Sequence, residues 1–409
     1  MSFTLRKVTY FSSLVLIFLI PWEDSISTLS VGSLARLMGF AVAGLWVAGI
    51  LIEGRFRKPH LFHTLVFLFF LWNLVSVFWS LDIETSFQRI KTYSQIFLLL
   101  LIFWDVSQKP EELMAGLQAY IFGAYVLVGS TIYNFMTGTV SVAYEGRYSA
   151  TGVNAVDLAL ILMIGLPISM QLFFAASHNR RDTIRKWINL LFVPLAIFAI
   201  LLTGSRTSLV AILPFGIFMI GAQQIKFDKK LLVFALLLVS LLILLPLIPA
   251  TILERLGTID DSIGEGDLGG RLNLWREAVA VLARHPILGV GSGAIDSEIG
   301  SAVHNTFLSV IAETGFVGCM LFLSILVTVV YQTLKLPKGT SGLWLAIFMT
   351  WVIGVSSLSW EFRKLTWILL NFIIIEGSLH EPFKARLPLP NQLKKSPVTG
   401  KPLSNPKGF

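Results

Sequence analysis

One histidine and two arginines have the type and position that chemistry at a membrane boundary requires. His304 opens a long apolar run, and an imidazole can take a proton from a hydroxyl near neutral pH. Arg206 lies in the polar segment 203–208, and Arg271 follows two glycines. Both are expected at the start of a helix, where a cation is unfavourable unless an anion lies beside it. Two guanidiniums in such positions predict a site for a phosphate or diphosphate.

Each of these residues also has a plainer interpretation. A single arginine at a membrane boundary can extend to lipid headgroups, and a histidine at the start of a helix can simply bond to a carbonyl. The occurrence of Arg206 together with Arg271 favours the anion site. Glu313 follows His304 by nine residues, which places it about 180° around a helix. We therefore expect Glu313 to pair inside the protein rather than to orient His304.

The composition indicates which kind of secondary structure must position these residues. The chain has 409 residues, of which 55% are hydrophobic and only 14% charged, and its mean hydropathy is +0.76. A soluble domain carries about 25% charged residues, so soluble, disordered and disulfide-framework proteins are excluded. The apolar runs are long and continuous, which indicates helical membrane spans. The sequence therefore predicts an all-α polytopic membrane protein in a lipid bilayer, and its net charge of +8 is not assigned to nucleic acid.

About twelve apolar runs are candidate spans, since a helix needs about 20 apolar residues to cross the bilayer. They lie at 8–28, 33–52, 61–80, 92–106, 113–136, 154–174, 187–203, 208–222, 231–250, 305–334, 340–357 and 365–378. We expect them to form a transmembrane bundle over 1–378. The polar, proline-rich segment 379–409 is expected to be a disordered cytoplasmic tail.

The lysines and arginines set the orientation of these spans. With a cytoplasmic N-terminus, 21 of the 32 fall in inner segments, as the positive-inside rule requires. Both termini are then cytoplasmic. The remaining eleven lie outside, and those outside cations are Arg36, Arg89, Lys91, Arg147, Arg206, Arg255, Arg271, Arg276, Arg284, Arg363 and Lys364.

One outer loop is long, over 251–304 between the ninth and tenth spans. Its first half, 258–270, is acidic and glycine-rich, but the spacing of Asp260 and Asp261 and the acidic residues after them fits no calcium loop. We expect a solvated segment, with no metal and no cofactor. The second half predicts a short amphipathic helix over 270–285, which Pro286 ends; its apolar stripe is Leu272, Trp275, Val279 and Leu282. The glycine-rich run 289–293 is expected to be a flexible connector.

Several short segments, taken in order, resemble the O-antigen ligase and polymerase family of bacterial membrane enzymes. They are Gly-Arg at 146–147 with Thr-Gly-Val-Asn at 151–154, Thr-Gly-Ser-Arg-Thr at 203–207, Gly-Arg at 270–271 with Trp275, His-Pro-Ile-Leu-Gly-Val-Gly at 285–291, and His304-Asn305 with Glu-Thr-Gly at 313–315. The resemblance covers about residues 140–335. It implies metal-independent glycosyl transfer on the periplasmic side of the bacterial inner membrane.

The resemblance also implies roles for individual residues. The donor would be a glycan linked to undecaprenyl diphosphate, held by Arg206 and Arg271, with Arg147 as a further donor contact. His304 would be the base that activates an acceptor hydroxyl, and the supporting residues would be Trp275, Asn305 and Glu313. The acceptor would be the lipid A core oligosaccharide in an O-antigen ligase. It would be another lipid-linked repeat in an O-antigen or exopolysaccharide polymerase.

A length near 400 residues without an appended soluble domain favours the ligase. From a different class, the chain could be a polytopic transporter or flippase, and such folds usually contain internal repeats. Residues 1–200 and 201–378 show no self-similarity. The main charges within the predicted spans are Glu313 and Glu376, which is few for an ion-driven pump.

Overall fold

The computed structural model describes residues 5–28, 32–140, 146–175, 180–221, 227–257 and 271–386. Their helices, in chain order, are α1 Leu5–Leu19, α2 Leu34–Glu53, α3 Leu61–Val75, α4 Ile83–Val106, α5 Pro110–Met136, α6 Ala155–Ala175, α7 Arg180–Leu202, α8 Arg206–Ala211, α9 Leu213–Gly221, α10 Phe227–Leu244, α11 Ala250–Gly257, α12 Arg271–Arg284, α13 Ile295–Ile299, α14 Thr306–Lys335, α15 Lys338–Val355 and α16 Lys364–Arg386. Short 3₁₀ turns follow α1, α3 and α10. The strands β1 Ser27–Thr28 and β2 Gly32–Ser33 form a small antiparallel pair between α1 and α2.

The all-α polytopic membrane class predicted from composition is confirmed. Eight of the described helices are long and apolar enough to cross a membrane. A ninth span is possible if Val233–Leu247 and Ala250–Gly257 are one broken unit, bent by 110°. Every predicted apolar run coincides with one helix or a helix pair. The count of twelve stays a prediction, because α4 carries several charges and Arg206–Gly221 is a shorter apolar helix.

Helix α6 lies at the centre of the packing and α2 at the edge. Of the most apolar 18-residue stretch of α6, 83% is buried inside the protein. Helix α6 packs against α5, α7 and α15. Close approach depends on small residues: a Cβ at Gly165 would meet the Phe192 ring at 2.9 Å. In α2, only 22% of the corresponding stretch is buried. A helix so little covered by protein presents most of its apolar surface to lipid.

The tenth predicted span, 305–334, is a helix that is broken near its start. Within α14, Gly315 has φ 63° and ψ −167°, so the helix kinks there. A Cβ on Gly315 would overlap the carbonyl of Ile287, and the Phe316 amide donates to the Pro286 carbonyl at 2.9 Å. The segment after α12 therefore inserts into the gap that the kink opens.

The amphipathic helix in the long loop forms as predicted, but its buried stripe differs. Helix α12 buries Ala278 and Val281 and partly buries Trp275, whereas Val279 is 53% exposed. The reason is that α12 packs against α14 through the small residues. A hydropathy pattern gives the most weight to the larger apolar side chains. It therefore predicted a contact face adjacent to the one that the structure buries. Asp260, Asp261 and the rest of 258–270 lie outside the described residues.

The expectation of a flexible connector at 289–293 is wrong. Val290 and Gly291 donate their amides to the carbonyls of Ala312 and Glu313, at 3.0 and 2.9 Å. The Ser292 carbonyl accepts from the Ser86 hydroxyl at 2.7 Å, and the whole run is buried. The glycines allow positive φ and close backbone approach to α4 and α14 rather than mobility.

Candidate active site

A tight turn at the end of α7 gathers three arginines. Gly204 has φ 55°, and a Cβ there would lie 3.3 Å from the Arg255 side chain and 3.8 Å from that of Arg147. Arg147 is buried and its Nε donates to the Thr203 carbonyl at 2.6 Å. The Nε of Arg255 donates to the Gly204 carbonyl at 3.3 Å, and the Nε of Arg206 donates to the Arg255 carbonyl at 3.1 Å.

This turn, which we call the arginine turn (Arg147, Arg206, Arg255 and the backbone of 203–205), concentrates positive charge. Two of its arginines were predicted to share a site, Arg147 and Arg206, and the structure brings them together. Arg255 was not assigned to the site from the sequence, although it was one of the outer cations. Ser205 occupies the cap position of α8, and its side chain makes no cap hydrogen bond.

His304 is held in a strained backbone conformation at the start of α14. Its φ is +53°, a left-handed value that is uncommon for a residue with a side chain. The next residue, Asn305, caps the helix, because its side-chain oxygen accepts from the amides of Phe307 and Leu308 at 3.1 Å each. The cap and the positive φ together turn His304 out of the helix, half-buried.

The charges around His304 favour its neutral form. Its pKa lies below the ordinary value of 6.5, first because burial disfavours the imidazolium and next because Arg271 repels it. Asp296 and Asp157 act in the opposite direction and raise the pKa. The imidazole is thus held neutral with two carboxylates nearby to stabilise a positive charge once it takes a proton.

Arg271 and Trp275 reach this histidine from α12. Arg271 is the first residue of the helix, as predicted. The indole of Trp275 donates to the carbonyl of Val303 at 3.1 Å, directly before His304. The structure therefore brings together four of the predicted residues, Arg271, Trp275, His304 and Asn305. We call these four residues, with Asp157 and Asp296, the histidine group.

Asp157 was missed in the sequence, and it corrects the view that Glu313 and Glu376 are the main charges in the spans. It lies in the first turn of α6 and is buried. Its carboxylate accepts from the Trp360 indole at 2.6 Å and lies 3.4 Å from an Arg363 nitrogen. The only signal for Asp157 in the sequence is that a carboxylate closely follows the motif at 151–154. In the structure the Asn154 side chain at the end of this motif accepts a hydrogen bond from the Val156 amide at 2.8 Å.

The loop 146–154 joins the arginine turn to the histidine group. At one end the Tyr148 amide donates to the Leu202 carbonyl at 3.0 Å, beside Arg147. At the other end a Cβ on Gly152 would lie 2.7 Å from the Asp24 carbonyl. The Asp24 carboxylate pairs with Arg363 at 2.7 Å, and Arg363 in turn contacts Asp157. The two groups are consecutive parts of one polar surface.

Glu313 lies apart from His304, as predicted, in a buried charge group of its own. It is 1% exposed and lies 3.9 Å from the guanidinium of Arg89. Glu361 approaches the same guanidinium at 3.4 Å, and Phe362 places its ring 3.7 Å from it. We call Arg89, Glu313 and Glu361 the buried triad. Burial raises the pKa of the Glu361 carboxyl group, and the charge of Arg89 acts in the opposite direction.

Within the described residues, no group of three or more His, Cys, Asp or Glu side chains could hold a metal ion. The acidic residues Asp260 and Asp261 lie outside that part of the chain. What the described site offers is a neutral base, several guanidiniums and carboxylates that stabilise a protonated imidazole.

Comparison with known proteins bears on this arrangement. The sequence model of the O-antigen ligase family matches residues 190–323, which contain Arg206, Arg271, His304 and the kinked start of α14. Residues 190–323 are thus similar to the O-antigen ligase family. This confirms the resemblance carried by the short motifs. An O-antigen ligase family protein is a multi-pass membrane protein that acts on lipid-linked glycans.

A second similarity extends over more of the chain. The exopolysaccharide production protein ExoQ of Rhizobium meliloti (strain 1021) is 24% identical over 335 residues, which is 72% of this chain and 71% of that protein. Arg89, Arg147, Asp157 and Glu361 lie outside the family domain at 190–323. The complete polar surface of this protein is thus built from the matched segment and from the helices that precede and follow it.

Proposed function

We propose that this protein transfers a glycan from undecaprenyl diphosphate to an acceptor hydroxyl on the periplasmic side of the bacterial inner membrane. The observation that carries the proposal is a half-buried His304 whose pKa is lowered, beside Arg271 and on the same polar surface as the arginine turn. A base without a place for the departing anion, or an anion site without a base, would fit glycosyl transfer less well.

The chemical step follows from these residues. His304 takes the proton of the acceptor hydroxyl while the hydroxyl oxygen bonds to the anomeric carbon of the donor sugar. The bond between that carbon and the diphosphate oxygen breaks, and the electron pair leaves with the diphosphate. Arg206, Arg271 and Arg147 stabilise the leaving group, whose negative charge increases as the bond breaks. Asp157 and Asp296 stabilise the imidazolium that forms.

The supporting residues hold this geometry. Asn305 fixes the start of α14 through its two cap bonds, and Trp275 fixes α12 against the carbonyl that precedes His304. Glu313 acts at a greater distance, through the buried triad and the 289–293 loop. The positive charge of the arginines suffices for a diphosphate without a divalent cation, and we propose that the reaction is metal-independent.

The experiment is transfer of labelled glycan from a lipid-linked donor by purified protein in detergent. We expect His304→Ala and Arg206→Ala to reduce transfer by a factor of at least about 100, the usual contribution of a base or of one charge-stabilising donor. Matched controls are His285→Ala and Arg276→Ala, which alter exposed residues of the same types outside the site. All four variants should insert into the membrane normally.

Transfer at the wild-type level in His304→Ala or Arg206→Ala would overturn the mechanism. The same assay with a chelator tests metal independence. Activity that is lost on chelation and restored by a divalent cation would make Asp260 and Asp261 candidate metal ligands instead. An active protein would also exclude the alternative of a transporter or flippase.

Two acceptors remain for this reaction. The lipid A core oligosaccharide would make the protein an O-antigen ligase, in line with the description of the matching family. A second lipid-linked repeat would make it a polymerase, and the similarity to a protein of exopolysaccharide production favours that candidate. A deletion strain distinguishes them: without a ligase, finished polymer stays on the carrier lipid, and without a polymerase only single repeats accumulate.

The topology is part of the proposal, with both termini in the cytoplasm and 251–304 in the periplasm. Cysteine accessibility in intact cells tests it. A cysteine introduced at Arg276 should react with a membrane-impermeant reagent from outside, and one introduced in the tail after 386 should react only after lysis.

A further inference from the structure

The connection between α3 and α4 is hydrogen-bonded to the segment that leads to the candidate base. We call residues 76–86 the α3–α4 corner, and the segment that it contacts is 290–297. Ser292 bonds to the corner twice. Its amide donates to the Ser76 hydroxyl at 3.1 Å, and its carbonyl accepts from the Ser86 hydroxyl at 2.7 Å. The corner therefore fixes the first part of this segment.

Asp82 of the same corner fixes the last part of the segment. It is the cap residue of α4, and its carboxylate accepts from the Thr85 amide at 3.0 Å and from the Thr85 hydroxyl at 2.6 Å. The carboxylate also accepts from the hydroxyl of Ser297, in α13, at 2.5 Å. The bonds from Ser297 and Thr85 lower the pKa of Asp82 to about 2. The carboxylate therefore remains ionised at the pH values where transfer would be measured.

The residue before Ser297 in α13 is Asp296, which acts on His304 in two ways. Its charge opposes the effect of burial, which lowers the pKa of His304. Its carboxyl group is also within reach of the Val303 amide: burial raises the pKa of Asp296, and the hydrogen bond from this amide lowers it. The Val303 carbonyl accepts from the Trp275 indole. Both backbone polar groups of the residue before His304 are thus bonded.

These bonds matter because the backbone of His304 is strained. Its φ of +53° is unfavourable for a residue with a side chain, and such a conformation persists only where the surrounding structure holds it. On the following side it is held by the cap at Asn305. On the preceding side it is held by the bonds of Val303. A displacement of α13 would weaken the second support and would also move the charge of Asp296.

We propose that Asp82 and Ser297 are positioning residues for the glycan transfer. Through the Ser297 hydroxyl, Asp82 holds α13 in place. Asp296 then keeps its bond to Val303 and its electrostatic effect on His304. The inference rests on the proposed function, in which His304 is the base. It adds to the site the α3–α4 corner, which lies outside the segment that the family model matches.

The experiment measures the rate of glycan transfer against pH with purified full-length protein. Ser297→Ala removes the hydroxyl and leaves both Thr85 bonds, so α4 keeps its cap. The pKa of His304 should fall when the Asp296 carboxylate moves away, and the acid limb should move to lower pH by about half a unit. The maximal rate should also fall about fivefold, the effect of one lost hydrogen bond.

Two matched variants control for other effects in α13. Glu298→Gln alters the next residue and removes its ion pair with Arg284 at 3.1 Å, but it leaves the hydroxyl of Ser297 unchanged. We expect the wild-type acid limb. Ser297→Thr keeps a hydroxyl at the same position and should also retain the wild-type profile. The other charges that act on His304, Arg271 of α12 and Asp157 of α6, are the same in all these variants.

A double variant separates a positioning role from a general disturbance of the fold. Asp296→Asn by itself removes the charge and should move the acid limb to lower pH. If Ser297 acts through Asp296, Ser297→Ala should add no further shift to Asp296→Asn, whereas independent effects would add. Asp82→Ala should shift the limb as Ser297→Ala does. It should also lower the unfolding temperature slightly, because it removes the cap of α4.

Three results would overturn the inference: a wild-type acid limb in Ser297→Ala, an equal shift in Glu298→Gln, or additive shifts in the double variant. Failure of the proposed function is distinguishable. If His304→Ala is inactive while Ser297→Ala keeps the wild-type limb, the base stands and the positioning role fails.

If His304→Ala retains full transfer, the proposed function fails, and the positioning role is then tested without activity. Diethyl pyrocarbonate modifies the neutral form of an imidazole, so its rate of reaction with His304 against pH, followed by mass spectrometry, reports the pKa of that residue. A lower pKa in Ser297→Ala, but not in Glu298→Gln, would support the positioning role, and equal values in all variants would overturn it.

Discussion

Two groups of charged residues, the buried triad and the arginine turn, use arginine in opposite ways. In the buried triad, Arg89 lies between two glutamates, and its guanidinium is 9% exposed. At the arginine turn, the bonds that join the arginines are made by Nε to backbone carbonyls, and Arg206 and Arg255 reach solvent. A carboxylate neutralises a guanidinium, whereas a carbonyl only orients it.

This difference separates structural arginines from arginines that can bind a ligand. The predicted topology places the arginines of both groups among the outer cations, so the sequence alone does not distinguish them. Arg89 is explained by its glutamates and by the 289–293 loop that packs over it, where a Cβ on Gly293 would lie 3.1 Å from the Arg89 Nε. At the arginine turn, Arg206 and Arg255 are at least partly exposed, which binding of a diphosphate would require.

The largest expected effect concerns the triad. Arg89→Ala leaves two buried carboxyl groups without their cation, and we expect it to lower the free energy of unfolding by about 3–5 kcal/mol. Thermal unfolding in detergent measures this. Arg206→Ala should leave the unfolding transition nearly unchanged, within about 0.5 kcal/mol, and should lose activity instead. If Arg89→Ala were as stable as the wild type, the contrast between the two groups would be broken.

The next effect is on pH dependence, and it concerns Asp296, whose charge acts on Arg89 of the buried triad and on His304 of the histidine group. Its negative charge raises the pKa of His304 and is itself felt by Arg89. Asp296→Asn removes that charge, so the pKa of His304 should fall. Since the base must be neutral, activity should then persist to lower pH than in the wild type.

The opposite change is the control. The charge of Arg271 lowers the pKa of His304, so Arg271→Gln should raise it and move the acid limb of the rate profile to higher pH, whatever it does to the maximal rate. Profiles of transfer rate against pH from 4.5 to 8 measure both. Equal acid limbs in the two variants would show that the limb does not report on His304.

The smallest effect concerns the contact between α12 and the histidine group. Trp275→Phe keeps the aromatic ring but removes the indole hydrogen bond to the Val303 carbonyl, at a cost of about 1 kcal/mol. We expect a loss of transfer of about fivefold, which corresponds to that energy, with an unchanged pH profile. A shifted profile would mean that Trp275 also tunes the pKa of His304.

Much of the fold was accessible from the sequence because hydropathy is a local property. Each of the twelve apolar runs overlaps a helix in the structure, although the end of the first run, 23–28, is turn and strand, and α12 ends where Pro286 was expected to end it. The kink at Gly315 was not predicted, since the reason for it is the carbonyl of Ile287 on a distant segment. The glycines at 289–293 were misread for the same reason, because their close neighbours are on α4 and α14.

The candidate site was accessible in part. Arg206, Arg271 and His304 were identified because a charged or titratable residue near the end of an apolar or amphipathic run can be recognised from the sequence alone. Arg147 and Arg206 do lie at the same turn, and Glu313 does pair inside the protein. Arg255 and Asp157 were missed as site residues, because neither has a local pattern that distinguishes it from other outer cations or other carboxylates.

The sequence by itself determined the membrane class, the helices, the family motifs and the residue types of the reaction, because burial in lipid and motif order can be read without knowing any contact. Only the tertiary structure decided which charges meet. Asp157 lies 203 residues from Trp360, and Arg89 lies 272 residues from Glu361. Electrostatic effects act over a few ångströms in space, so the partners that make one arginine structural and leave another for a ligand are fixed only when the helices pack.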